Sequence, residues 1–175
     1  GLRWTHNKNF GSALLPSSWV SWQINSKSIV KSSLAYGYRS PSLKELYFNF
    51  IDVNHYVVGN TALKPEKSVN LKTEFNYSNL QIKKLNFDLI GSIFYNDIKG
   101  KIVLTSYGPI EYEYRNIERF KSIGSGATIK TKISEVVSFK TSILRTAFYN
   151  YLSSKDNQLP NYSWSTDWSN ELDIN

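Results

Sequence analysis

Cysteine is absent from this chain. That excludes a disulfide scaffold, thiol catalysis and Cys-ligated metal sites. It says little about compartment. Histidine is scarce, with 2 among 175 residues, so a His–carboxylate catalytic pair has few places to form. Serine is plentiful, but no Gly-x-Ser-x-Gly elbow occurs. Asp52, Asp97 and Asp156 sit in no twelve-residue calcium pattern. No constellation calls for catalysis. No apolar run approaches the ~20 residues of a membrane helix. A spanning barrel stays open, because its strands need only ~9–11 alternating residues that average out in hydropathy. No signal peptide is visible, as Gly1-Leu2-Arg3-Trp4 begins directly in strand-like sequence. There is no internal repeat and no low-complexity tract.

What is abundant is aromatic. Phe, Trp and Tyr make up 15% of the chain, with 12 Tyr and 5 Trp. That exceeds the ordinary needs of one core. Tyr and Trp favour surfaces with one apolar and one wet side, including the girdles of membrane barrels. The formal charge is +7. Lys and Arg are dispersed, and no basic block alternates with aromatics as in an RNA-binding sheet, so nucleic acid is not expected as a partner. A positive surface facing phosphate-bearing lipid is the preferred reading. A Tyr-rich soluble β-sandwich that binds carbohydrate is the alternative, and an all-β hydrolase a more remote one.

The length predicts one domain, and the pattern has period two nearly throughout. Val69, Leu71, Thr73, Phe75 and Tyr77 share one face; Ser68, Asn70, Lys72, Glu74 and Asn76 share the other. Similar alternation runs through Ile29–Tyr38, Leu85–Asn96 and Ala127–Ile133. Polar faces carry charge at mid-strand, while apolar faces end in aromatics. A barrel with a wet lumen and aromatic rims predicts both features. About eight strands are expected: Leu2–Thr5, Leu15–Ile24, Ile29–Tyr38, Ser68–Tyr77, Leu85–Asn96, Tyr112–Ile133 (bent or split at Gly124-Ser125-Gly126), Val137–Leu152 and Ser163–Ile174. Connections alternate in length. Asn25–Ser28, Ser78–Lys84 and Ile133–Val136 are short. Ser40–Lys67, Ile98–Glu111 and Ser153–Ser163 are longer. The fold class is therefore all-β, an antiparallel up-and-down meander.

Pro41 ends a strand, since it cannot donate to a ladder and pushes Ser40 into extended geometry. Ser42-Leu43-Lys44-Glu45 fits a capping box, with Ser40 as cap before Pro41 the other option. A short helix follows, with Leu43, Leu46 and Tyr47 on its apolar side. Gly59-Asn60 makes a turn, and Lys64-Pro65-Glu66 returns to the sheet.

These residues carry a resemblance. Tyr38-Arg39-Ser40-Pro41 resembles the Phe-Arg-Ala-Pro box of TonB-dependent outer-membrane receptors, of a Bacteroidetes-like kind. Asn60-Thr61-Ala62-Leu63 is similar to their Asn-Pro-Asp-Leu box, keeping Asn and Leu. Lys64-Pro65-Glu66, Ile93–Lys99, Tyr114-Arg115-Asn116-Ile117 and Gly126 recur in order. The resemblance implies part of a 22-stranded transmembrane barrel in the outer membrane of a Gram-negative bacterium. It implies transport rather than catalysis, with no resident cofactor. Residues 39–67 become a long extracellular loop. Nothing here looks like the family's plug domain, TonB box or closing aromatic strand, so a middle-to-late barrel portion is implied. The implied partners are outer-membrane lipid and lipopolysaccharide, TonB acting through the plug, and a scarce cargo such as an iron–siderophore, haem or cobalamin.

The candidate ligand residues follow from that frame: His55, Arg39, Tyr47, Tyr56, Tyr112 and Tyr114. Haem-uptake members carry a histidine between the two boxes, and His55 lies in that interval, as a metal ligand only if the cargo is haem. Phe48 and Phe50 offer further stacking surfaces, and His6 a second imidazole. Arg39 suits an anionic cargo or an ion pair with Glu45 or Glu66. Glu111 and Glu113 alternate with Tyr112 and Tyr114 at the start of a strand, either lining the mouth of a lumen or standing as rim aromatics with solvated carboxylates.

Overall fold

In the computed structural model, residues 1–83, 85–134, 136–150 and 161–174 are described. The strands are β1 (Leu2–Asn7), β2 (Gly11–Asn25), β3 (Ser28–Arg39), β4 (Asn49–Ile51), β5 (Tyr56–Val58), β6 (Glu66–Ile82), β7 (Leu85–Ser106), β8 (Glu111–Lys132), β9 (Val137–Asn150) and β10 (Tyr162–Ile174). One helix, α1 (Leu43–Tyr47), precedes β4. The long strands form an antiparallel meander, β1-β2-β3-β6-β7-β8-β9-β10. The two short strands are an addition that the alternation pattern did not predict. β5 lies parallel to the start of β8, and β4 pairs antiparallel with β5.

Register turns the sequence alternation into faces, because side chains of paired residues point the same way. One row runs Leu34, Leu71, Tyr95, Ile123, Ala147, Trp164; another runs Val30, Phe75, Gly91, Ala127, Ile143, Trp168. The opposite face carries Lys31 beside Glu74, and Asn70 beside Asn96 and Ser122. Among the described residues the apolar face has no second layer over it. Trp22, Ile93, Ile123 and Trp164 are all exposed, and no large side chain among the described residues is fully buried. A sandwich would bury that face against another sheet. This one leaves it open, as a lipid-facing wall does.

Three expectations change in detail. β7 continues to Ser106 and β8 resumes at Glu111, so the connection is residues 107–110 and not Ile98–Glu111. The polar run Asp97-Ile98-Lys99-Gly100-Lys101 looks like a loop in sequence. It stays in the ladder because Gly100 takes a positive φ of 66° and Asn116 Nδ2 donates to its carbonyl at 2.7 Å. β8 is not split at Gly124-Ser125-Gly126. Gly124 instead makes room for the Phe94 ring, since a Cβ there would lie 2.4 Å from it. β6 runs past Tyr77 to Ile82 through an irregularity at Tyr77/Leu80, where Asn79 has φ 58°. Lys84, Glu135, the β9 extension over Tyr151 and Leu152, and residues 153–160 with Asp156 lie outside the described residues.

Candidate ligand-binding loop

Residues 40–65 rise from β3, carry α1, β4 and β5, and return at β6. The expected capping box is present. Ser42 Oγ accepts from the Glu45 amide at 3.2 Å, and the Glu45 carboxylate accepts from the Ser42 amide at 2.7 Å. Ser42 is thus the cap, and Pro41 precedes the helix.

The loop is fastened at several points. Leu46 of α1, Leu63 and Ile102 of β7 are buried together, with Phe10 and Tyr114 against them. Gly59 is required by close approach. A Cβ there would stand 2.6 Å from the Leu46 carbonyl carbon and the Tyr47 nitrogen, and its amide donates to Phe48 O at 2.6 Å. Asn60 donates its amide to Glu45 O and its side-chain Nδ2 to Tyr114 O. Asn116 of β8 clamps the return: its Oδ1 accepts from the Lys64 amide and its Nδ2 donates to Lys64 O.

Arg39 sits at the centre of the base. Its guanidinium donates to both Glu45 oxygens, at 2.9 and 3.1 Å, and to Glu66 Oε1 at 2.5 Å. Glu66 also accepts the Ile102 amide at 2.7 Å. Both ion-pair options raised for Arg39 therefore hold at once. Burial disfavours the ionised form of Glu45, but the bonds from Arg39 and Ser42 outweigh it and hold the carboxyl below the usual glutamate range.

The far end of the loop is more open. The Asp52 carboxylate accepts the Asn54 and His55 amides at 2.7 and 2.6 Å, forming a tight turn, and His55 Nδ1 lies 3.2 Å from it. The Asn54 amide leads in holding the Asp52 carboxyl below its ordinary range; desolvation opposes it, and the His55 amide and ring add to it. Ionised Asp52 accepts only, so Nδ1 is the donor in this contact. Phe50 tilts against the imidazole, 6.5 Å between centroids, and stacks on Phe48. The register Tyr56↔Glu111, Val57↔Tyr112 brings this turn beside the β7–β8 hairpin.

The other candidates separate. Tyr47 is exposed. Tyr56 and Tyr112 lie in the β5–β8 pairing. Tyr114 packs beneath the loop, and Tyr38 donates its hydroxyl to Phe10 O at 2.8 Å. His6 bonds Ser12 Oγ and stacks on Trp4 in the β1–β2 hairpin, and no contact joins it to His55. Among the described residues no three His, Asp or Glu side chains converge as a metal site. Two residues escaped sequence reasoning: Asn116 as a loop clamp and Tyr107, which lies under the Arg115 guanidinium at 5.9 Å. An asparagine at mid-strand and a tyrosine in a turn send no local signal of these roles.

The model of the family "TonB dependent receptor-like, beta-barrel" matches residues 1–172. The chain belongs to this family. Among its relatives is the iron-regulated outer membrane virulence protein of Vibrio cholerae serotype O1, 29% identical over 198 aligned residues, covering 95% of this chain and 28% of that protein. The ferric enterobactin receptor of Pseudomonas aeruginosa is 29% identical over 115 residues, 58% of this chain and 14% of that receptor. The siderophore receptor PirA from Pseudomonas aeruginosa superimposes with a TM-score of 0.64 at 22% identity, over 98% of this chain and 34% of PirA. The chain thus spans about a quarter to a third of the length of the relatives it matches over nearly all of its own.

Proposed function

We propose that this chain is a wall segment of a TonB-dependent importer in the outer membrane of a Gram-negative bacterium. Its cargo is an iron chelate of the siderophore class. The observation that carries this is the pinned loop at residues 40–65, set on a sheet whose open apolar face suits lipid. The relatives' iron and siderophore names support the cargo class. The reading makes the protein a transporter, not an enzyme, and needs no resident cofactor. The loop lies outside the cell, its tip offers Tyr47, Phe50, His55 and Tyr56 to cargo, and Arg39 serves as its fastening. Energy comes from TonB through a plug domain of the full receptor.

The test uses the full-length receptor in its own cell. Removing residues 43–58 is expected to leave a heat-modifiable barrel in the outer membrane but to abolish uptake of radiolabelled ferric siderophore. Collapsing the proton-motive force is expected to do the same to the intact receptor. Uptake that survives both treatments refutes the reading.

One observation favours haem as a second cargo. A carboxylate on Nδ1 orients the His55 ring and leaves Nε2 as the nitrogen an iron would meet. Hemin titration checks it: a Soret shift that persists in His55→Ala removes His55 as a ligand.

A further inference from the structure

Two places in the chain carry the same constellation. In the outer loop, Lys44 Nζ lies over the Phe48 ring, 5.1 Å from its centroid, and Phe50 stacks on Phe48 at 6.2 Å. In the wall, Lys101 Nζ lies over the Phe120 ring at 3.6 Å, and Phe148 stands beside Phe120 at 6.1 Å. Each is an ammonium on a phenyl ring with a second phenyl ring alongside. Among the described residues neither lysine forms an ion pair.

The wall copy is out of place for its face. Phe148 pairs with Ser122, whose Oγ accepts from Asn96 Nδ2 on the polar side of the sheet. Phe120 shares the parity of Ser122 and so the same side. A wet lumen offers two phenyl rings no apolar partner. The pair sits just below the loop, because Asn116, the clamp of the loop's return, precedes Phe120 on the same strand. The other copy rides on the loop itself, with Phe50 exposed near its tip.

We propose that the cargo is an iron chelate whose donors are aryl oxygens, of the catecholate or phenolate type, and that both constellations receive its rings. This rests on the importer reading above and narrows its siderophore to one chemistry. An aryl ring stacks on the phenyl pair, and its ionised rim oxygens meet the ammonium. Hydroxamate and carboxylate chelates bring oxygen donors without the flat ring, and so use only part of either site. Two copies of one constellation suit a chelate with several identical arms. The lower copy sits on long wall strands and keeps its place, whereas the upper one moves with the loop.

The experiment uses the full receptor purified in detergent and calorimetric titration with two iron(III) complexes of equal charge, a tripodal tris-catecholate and a tris-oxalate. The tris-catecholate is expected to bind about tenfold more tightly or better, a comparison that needs no variant. Phe120→Leu/Phe148→Leu and Phe48→Leu/Phe50→Leu are each expected to weaken it about tenfold, with the barrel's heat-modifiability unchanged. Lys101→Gln is expected to weaken both complexes. Equal affinity of the wild type for the two complexes overturns the proposal, as do ring-deleted variants that still bind the tris-catecholate at full strength. Hemin displacing the tris-catecholate at equal concentration overturns it in favour of a porphyrin. Transport is scored apart: energy-dependent uptake of a ferric hydroxamate, with the tris-catecholate ignored, sinks the aryl assignment and leaves the importer standing.

Discussion

Replacing Arg39 with alanine separates a fastening role from a cargo-binding one. The guanidinium makes three bonds to Glu45 and Glu66, whose side chains are 13% and 14% exposed. Hydrogen bonds to charged groups are worth ~1.5–3 kcal/mol each by mutation. The full sum does not apply. The Arg39 side chain is 45% exposed, so solvent screens it. Glu66 keeps the Ile102 amide, and Glu45 keeps Ser42. A net loss of about 2 kcal/mol follows, roughly a thirtyfold rise in loop opening. Native-state amide exchange on the full receptor reads this directly. The Leu46, Phe48, Gly59 and Asn60 amides, bonded within the loop, are expected to exchange about thirty times faster, while amides in the β6–β7 ladder hold. Arg39→Lys keeps the charge but not the fork and is expected to fall between the two. Wild-type protection of those loop amides in the alanine variant refutes the fastening role. An equal loss in β6–β7 shows instead that the cluster holds the wall.

Gly59→Ala is expected to open the loop further than Arg39→Ala, because the new Cβ meets backbone atoms of Leu46 and Tyr47 that have no side-chain freedom to yield; the same amides report it. Leu63→Ala empties a site that is 4% exposed between Leu46 and Ile102. It is expected to cost the loop ~2–4 kcal/mol, seen as faster limited proteolysis within 40–65 with the barrel's heat-modifiability unchanged. Acid acts through Glu45, whose folded-state carboxyl titrates below its unfolded value. Its stabilisation is complete above the ordinary value of ~4.3 and is lost as pH falls through the depressed one. Loop exchange, corrected for intrinsic rates, is expected to be flat from about pH 5 to 8 and to rise below about pH 4; a rise beginning near neutrality would show that Glu45 is not the group responsible.

The long strands were legible because membrane walls print their chemistry at every second residue. Val69 to Tyr77 reads as one face whether or not its neighbours are known, and the capping box at Ser42 and Glu45 is likewise local. What escaped notice depends on distant partners. Asp97 to Lys101 is too polar to announce a strand, yet Arg119 neutralises Asp97 and Asn116 caps the Gly100 carbonyl. β4 and β5 are three residues each, too short for periodicity to register. The roles of Asn60 and Asn116 appear only once residues more than fifty apart in sequence are brought together.

Along β8 the sheet partner changes. Among the described residues β9 pairs with it from Phe120↔Asn150 to Lys132↔Ser138, while the stretch Glu111–Glu113 carries β5 in parallel and so has a covered edge. The loop's two ends are consequently held by different physics. Its base is locked by side-chain chemistry at Arg39, Asn60, Leu63 and Asn116, whereas its tip rests on three residue pairs of backbone ladder and a self-contained Asp52–His55 turn. Breaking a short ladder costs less than dismantling a buried cluster. The tip proposed to meet cargo is therefore the end expected to lift and reseat, on a base that keeps its place on the wall.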